Sequence, residues 1–255
     1  MSTKARRETY RLIDEYTTYL RMSAIKKHYT EVINEAKLKE LDYEDFLVTL
    51  LQKECDKRQQ SGKESRVRIA EFPYKKYLED IIVEDLPEDA KKKFKTLTSL
   101  DFIKNSQNII FAGNPGTGKT HLSIGLGIKA CFEGYRVLFT TIPLLINQLK
   151  ESRSQKVLRA FGNKFANYDL VIADELGYIS FDKEGSELLF THLSLRSNRK
   201  STIITTNLSF ERWDEIFHDP VMTAAMVDRL THKSYMVNMN GNSFRLKETK
   251  EWMQT

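Results

Sequence analysis

The stretch "NIIFAGNPGTGKTH", residues 108–121, decides how the rest of the chain is read. Ile109, Ile110 and Phe111 form an apolar run of strand type, which passes directly into a loop holding Gly113, Gly116 and Gly118. The eight residues Gly113, Asn114, Pro115, Gly116, Thr117, Gly118, Lys119 and Thr120 satisfy G-x-x-x-x-G-K-[ST]. Glycines let the backbone curl with successive N–H groups turned inward, and the helix that follows presents its positive end to the same point. Lys119 would meet the β and γ phosphates and the Thr120 hydroxyl would ligate magnesium. The segment from Gly113 to His121 therefore reads as a cradle for ATP with Mg2+, the alternative being a plain glycine-rich turn between strand and helix.

Working outward, "YDLVIADELGY", residues 168–178, is an apolar strand ending in Asp174 and Glu175. On a strand beside a phosphate loop, Asp174 would hold the magnesium shell and Glu175 would accept a proton from the attacking water. Without the upstream loop the pair would read as solvated acids at a strand end. In "STIITTN", residues 201–207, Asn207 follows a β-branched run. There an amide can orient the water that Glu175 activates, or it can serve as a turn or helix cap before "LSFERWDEIF".

Strand-like runs at Ile109–Ala112, Val137–Thr141, Leu170–Ala173, Ser201–Thr206 and Tyr235–Met239 alternate with segments of helical length. This pattern predicts an α/β fold with a parallel five-stranded sheet and ligands at the carboxyl ends of its strands. Upstream, Leu12, Ile13, Tyr16 and Leu20, then Val32, Ile33 and Ala36, then Phe46, Leu47, Leu50 and Leu51 recur at helical spacing. The polar "RQQSGKES", residues 58–65, reads as the exit loop of that helical region. The expected division is a small all-helical domain at 1–70, an aromatic-rich linker at 71–97 and a nucleotide-binding core at 98–255.

The chain has 255 residues with 40% hydrophobic content, enough for a substantial core. Its two cysteines, Cys55 and Cys131, are too isolated for a disulfide framework or a zinc spacing. No signal-peptide core and no membrane-spanning run are visible, so a cytoplasmic protein with no membrane partner is expected. The formal charge is +5, and the excess concentrates at residues 53–76, where Lys57, Arg58, Arg66 and Arg68 are the candidate contacts for nucleic acid. A solvated helix end and linker would carry the same charges.

Taken in order, "GNPGTGKT", "LVIADE" and "STIITTN" resemble an AAA+ ATPase core. The segments "KTHLSIGLGIKACFEGYRVLFTTIPLLINQL", "DELGYISFDKEGSELLF" and "AAMVDRLTHKSYMVNMNGNSFR" narrow the resemblance to the IstB-like ATP-binding proteins, helper ATPases of a class of insertion-sequence transposases. That family is similar to the DnaC-type helicase loaders, which supply the alternative reading. The resemblance implies an ATP-dependent homo-oligomer that assembles on duplex DNA with little sequence preference and recruits or stimulates a transposase. It also implies that Arg229, in "DRL", acts in trans on the nucleotide of the next subunit. The other readings are a surface arginine paired with Asp228, or Arg196 or Arg199 in the trans role. Too few residues follow Arg245 for a helical lid domain, so a lidless core is expected. Arg245 is then the one late candidate for a second sensor, with a strand-edge role as the alternative. A nucleotide-gated scaffold without hydrolysis is a third reading, against which Glu175 and Asn207 both stand.

Overall fold

β-Branched and aliphatic residues dominate the first four of the five short runs because a strand buried on both faces has no solvated side to fill with polar residues, whereas the fifth is only partly buried. In the computed structural model of the chain, which describes residues 3–217 and 219–253, each run is a strand. They are β1 (Asn108–Ala112), β2 (Val137–Thr141), β3 (Leu170–Leu176), β4 (Ser201–Thr206) and β5 (Ser234–Asn238). All neighbours pair in parallel, in the order β2-β3-β4-β1-β5. The chain therefore has the expected α/β architecture, an AAA+-like core preceded by helices.

The chain divides into two compact units, Met1–Ser65 and Arg66–Thr255. The first consists of α1 (Thr3–Tyr19), α2 (Ser23–Leu38) and most of α3 (Tyr43–Ile69). Its core is small: Ile25, Tyr29, Val32 and Leu50, flanked by Tyr10, Ile13, Met22, Ile33 and Phe46. The buried Glu54 carboxylate accepts the N–H groups of Ala24 and Ile25 at 2.8 and 3.3 Å, which caps α2, and it pairs with Arg58 at 3.0 Å.

The second unit places helices on both faces of the sheet. They are α4 (Glu88–Thr98), α5 (Asp101–Lys104), α6 (Lys119–Phe132), α7 (Ile142–Ser154), α8 (Leu158–Ala166), α9 (Lys183–Ser194), α10 (Asp214–Phe217), α11 (Pro220–Thr231) and α12 (Phe244–Trp252). Alternation along β1 assigns the faces: Ile109 and Phe111 enter the core shared with α4, α5 and α6, whereas Ile110 enters the core shared with α7, α9, α10 and α11.

Two stretches differ from the sequence reading. Residues 58–65 are helical, continuing α3, because Arg, Gln, Lys and Glu are good helix formers and Gly62 alone does not stop a helix. Residues 66–98 belong to the sheet unit, and they cover both of its edges. On β2 the Phe139 N–H donates to the Ala70 carbonyl at 2.8 Å. On β5 the Asn238 N–H donates to Asp89 at 2.8 Å and Lys93 donates to the Met236 carbonyl at 2.6 Å. Among the described residues no helix is long and apolar enough to cross a membrane.

Candidate nucleotide site

The loop after β1 turns through left-handed conformations at Gly113, Gly116 and Gly118, with φ of 154°, 78° and 89°. Such angles suit only glycine here, since a Cβ on Gly113 would lie 2.6 Å from the Asn240 nitrogen and one on Gly116 would collide with the Ser243 hydroxyl. The segment after β5 thus lies directly on the loop. Its Asn240 side chain accepts the Asn114 N–H at 3.2 Å, and the Phe244 N–H donates to the Gly116 carbonyl at 2.9 Å. The buried Thr117 hydroxyl donates to the Asn114 carbonyl at 2.9 Å, while Pro115 caps the exposed bend.

Lys119 opens α6 and is buried, its ammonium donating to the carbonyls of Gly113 and Asn114 at 2.7 Å each. Burial pushes its pKa down to about 8, with the charge of Asp174 working the other way. A buried cation short of anionic partners is what phosphate oxygens complete. Beside it, the Thr120 hydroxyl donates to both Asp174 oxygens at 3.1 Å, joining the phosphate loop to β3. Burial raises the Asp174 carboxyl above the ordinary range, opposed by the hydroxyls of Thr205 and Thr120 and by the Lys119 charge.

Glu175 is exposed, next to the buried Asp174, although both lie on β3. The pairing with β4 shifts register between Ala173 and Leu176, and Glu175 takes φ of 66°, so the bulge turns consecutive acids to different surroundings. Asn207 follows β4, and its Oδ1 is buried with no hydrogen-bond partner among the described residues. That is an acceptor which a water O–H can satisfy. A cavity of about 430 Å³ lies beside Gly113 and Asn207, lined also by Glu211, Asn238 and Asn240.

These observations fit ATP and magnesium. A desolvated ammonium lies at the loop, and one hydroxyl and one carboxylate stand together as oxygen donors. Magnesium keeps several non-protein ligands, so two oxygen donors suffice.

Further residues join the site, Tyr74 and Tyr178 without having been singled out in the sequence and Arg245 as the late candidate. Tyr74 packs edge-on against His121 with ring centroids 5.5 Å apart. Burial and the charges of Asp174 and Glu175 raise the pKa of Tyr74, and burial, Glu175 and Asp174 do the same to Tyr178, which keeps both phenols protonated. Arg245 lies in the first turn of α12, past the sheet, and its charge acts on Lys119, Tyr74 and Tyr178; a strand-edge role does not hold. The sequence signal for the two tyrosines is weak, because an aromatic residue near a turn carries no mark of the charges that the fold sets beside it.

Arg229 stands elsewhere. It is exposed on the last turn of α11, with its guanidinium 4.7 Å from the Phe190 ring centroid and a hydrogen bond to the Ser194 hydroxyl. Arg196, a competitor for the trans role, is 1% exposed and donates to the carbonyls of Phe165, Tyr168 and Ser201 at 2.8, 2.9 and 2.7 Å. Burial pushes its pKa down to about 9. It anchors α9 to the sheet and cannot reach a neighbour, whereas Arg199 is exposed. Of the four candidate DNA contacts, Arg58 is tied to Glu54 and to the Arg21 carbonyl, and Arg66 donates to the Cys131 carbonyl at 2.7 Å. Lys57 and Arg68 are exposed.

The sequence model of the family described as "IstB-like ATP binding protein" matches residues 16–252. The chain is 38% identical over 232 residues to the insertion sequence IS21 putative ATP-binding protein of Pseudomonas aeruginosa, covering 91% of this chain and 88% of that protein. It is 32% identical over 242 residues to the insertion sequence IS232 putative ATP-binding protein of Bacillus thuringiensis subsp. berliner, covering 95% and 97%. Among solved structures, DnaI aligns with a TM-score of 0.55 at 18% identity, over 69% of this chain and 93% of that one. AMPPCP-bound DnaA from Aquifex aeolicus aligns with a TM-score of 0.54 at 21% identity, over 70% of this chain and 54% of that one. These structural likenesses are likenesses of fold.

Proposed function

Because the chain belongs to the IstB-like ATP-binding family, we propose that it is an ATPase whose cycle regulates transposition by assembling copies of itself on duplex DNA and engaging a transposase. The observation that carries the reading is the Thr120 hydroxyl on the Asp174 carboxylate, which makes the phosphate loop and the acidic strand one site.

In this reading, the loop N–H groups from Gly116 to Thr120 and the Lys119 ammonium bind the phosphates. Because Lys119 is already desolvated, its charge acts at full strength. Thr120 and Asp174 hold magnesium, which supplies charge neutralisation at the phosphoryl oxygens when bound. Glu175, free of the core and displayed by the bulge, takes the proton of the attacking water, and Asn207 orients that water. Arg245 adds a cation from the same chain. Arg229 acts on the nucleotide of the adjacent copy, and its exposure on α11 suits a group that must cross to a neighbour. Lys57 and Arg68 contact phosphates of the duplex through charge, which carries little sequence preference.

The test compares Glu175→Gln and Arg229→Ala, alone and mixed. Each alone should bind ATP and fail to turn it over, and the mixture should recover part of the activity at mixed interfaces. Mixed oligomers with no recovery would remove Arg229 from the site and leave Arg199 as the candidate. The exposed Tyr43, Leu47 and Leu51 on α3 suit a protein partner. Capture of a replicative helicase in place of a transposase would move the protein to the loader class.

A further inference from the structure

The bulge in β3 sets two adjacent acids to different tasks, yet backbone strain of this kind persists only where neighbouring groups hold it. Consecutive β4 residues point to opposite faces. Ile203 enters the core shared with α6 and Ile204 the opposite one, so Thr205 faces the phosphate-loop side. It is 2% exposed. Its hydroxyl accepts the Glu175 N–H at 2.9 Å and lies 2.5 Å from Asp174 Oδ1. An amide N–H can only donate and a carboxylate can only accept, so the direction is forced: the lone pair takes the Glu175 N–H and the hydroxyl proton goes to Asp174.

We infer that Thr205 is the positioning residue of the site: its single hydroxyl pins the strained Glu175 backbone and the Asp174 carboxylate together, fixing the water-side acid relative to the metal-side acid. A valine would fill the same space and hold neither group. Asp174 would keep only Thr120 as a hydroxyl donor, and the ladder gap at Glu175 would have no acceptor. Phosphate binding by Lys119 and the loop does not pass through Thr205. The loss should therefore fall on turnover and leave metal-free nucleotide affinity as it was.

This inference rests on the reading of Asp174 and Glu175 given above, and the full chain tests the two separately. Thr205→Val, Thr205→Ser, Thr205→Ala and Glu175→Gln are compared by ATP turnover, by binding of a fluorescent ATP analogue with and without Mg2+, and by hydrogen exchange of the 173–178 peptide in nucleotide-free, Mg2+-free protein. Thr205→Val should lose about tenfold or more in kcat, keep its Mg2+-free affinity, and exchange the peptide about tenfold faster. Thr205→Ser, which keeps the hydroxyl and loses the methyl, should match wild type in all three. A Thr205→Val protein with normal kcat and normal exchange overturns the inference, as does a serine variant impaired to the same degree. If the valine variant fails to fold by circular dichroism, the serine and alanine variants decide: the inference stands when serine is normal and alanine loses turnover, and it falls on any other pattern. Dead Glu175→Gln with fully active Thr205→Val sinks the inference alone; fully active Glu175→Gln sinks the assignment of the acids and the inference with it.

Discussion

The helical unit and the sheet unit use similar residues to opposite ends. In the sheet unit the apolar residues of β1, β3 and β4 are almost all completely buried, and the polar side chains among them, Lys119, Asp174, Thr205 and Arg196, are each held by named partners. In the helical unit four buried residues make the core, while Tyr16, Tyr19, Leu20, Tyr43, Leu47, Val48 and Leu51 stay exposed. Catalytic geometry needs the first arrangement, because groups must be held in place before substrate arrives. A surface that meets other macromolecules suits the second, and contiguous exposed apolar side chains are a feature of such surfaces.

The two cysteines give the widest contrast. Cys131, in the sheet unit, is buried and its thiol is pushed up to about 12, whereas Cys55, in the helical unit, is exposed. At pH 8 the scarcity of thiolate alone should slow modification of Cys131 about a thousandfold, before its burial is counted. Native protein should therefore titrate one thiol with a chromogenic disulfide and the second only in denaturant. Two fast thiols would show that the sheet unit is not closed.

Next in size is Lys119→Ala, expected to weaken ATP binding about a hundredfold or more because a desolvated charge-assisted contact is removed. Lys57→Ala should leave ATP binding unchanged. Equal losses in a nucleotide-binding titration would break the assignment of phosphate chemistry to the sheet unit.

Core truncations sharpen the comparison at the level of stability. Ile110→Ala, at 1% exposure between sheet and helices, should cost about 4 kcal/mol, and Leu50→Ala, at 9%, about 2. Urea unfolding followed by fluorescence of the fully buried Trp213 should register the first strongly and the second weakly. The two units need not unfold together, so each probe is read for its own unit.

The smallest effect separates two basic residues of α3. Lys57→Ala should lower the slope of log duplex affinity against log salt by about 0.9 and weaken binding a few-fold. Arg66→Ala, which removes the donor to the Cys131 carbonyl, should lower stability by about 1 kcal/mol. Identical salt slopes for Lys57→Ala and wild type would remove Lys57 from the DNA contacts.

The sheet was legible because doubly buried strands are written as short apolar runs: β2 and β4 begin and end where those runs do and β1 lies within a residue of its run, as does the partly exposed edge strand β5. The phosphate loop was legible because its glycines are demanded by local backbone angles. What escaped depends on distant contacts. "RQQSGKES" looks like a loop since a solvated helix and a loop share polar composition. Arg196 resembles any arginine at a helix end until the carbonyls of Phe165, Tyr168 and Ser201 converge on it. Thr205 is one threonine in a β-branched run, and only the β3 bulge beside it gives its hydroxyl a task. Tyr74 comes from before the core, where no motif points to the phosphates.

The covered edges of the sheet bear on how copies can join. With Ala70 on β2 and with Asp89 and Lys93 on β5, neither outer strand offers a continuous row of free backbone groups to another chain. Strand addition of the kind that locks fibres together is closed off at both ends. Copies that assemble as proposed above would then meet through side chains, whose contacts a single charge change at a shared nucleotide can tip. An assembly built this way is reversible by construction, able to come apart when its fuel is spent instead of ripening into aggregate.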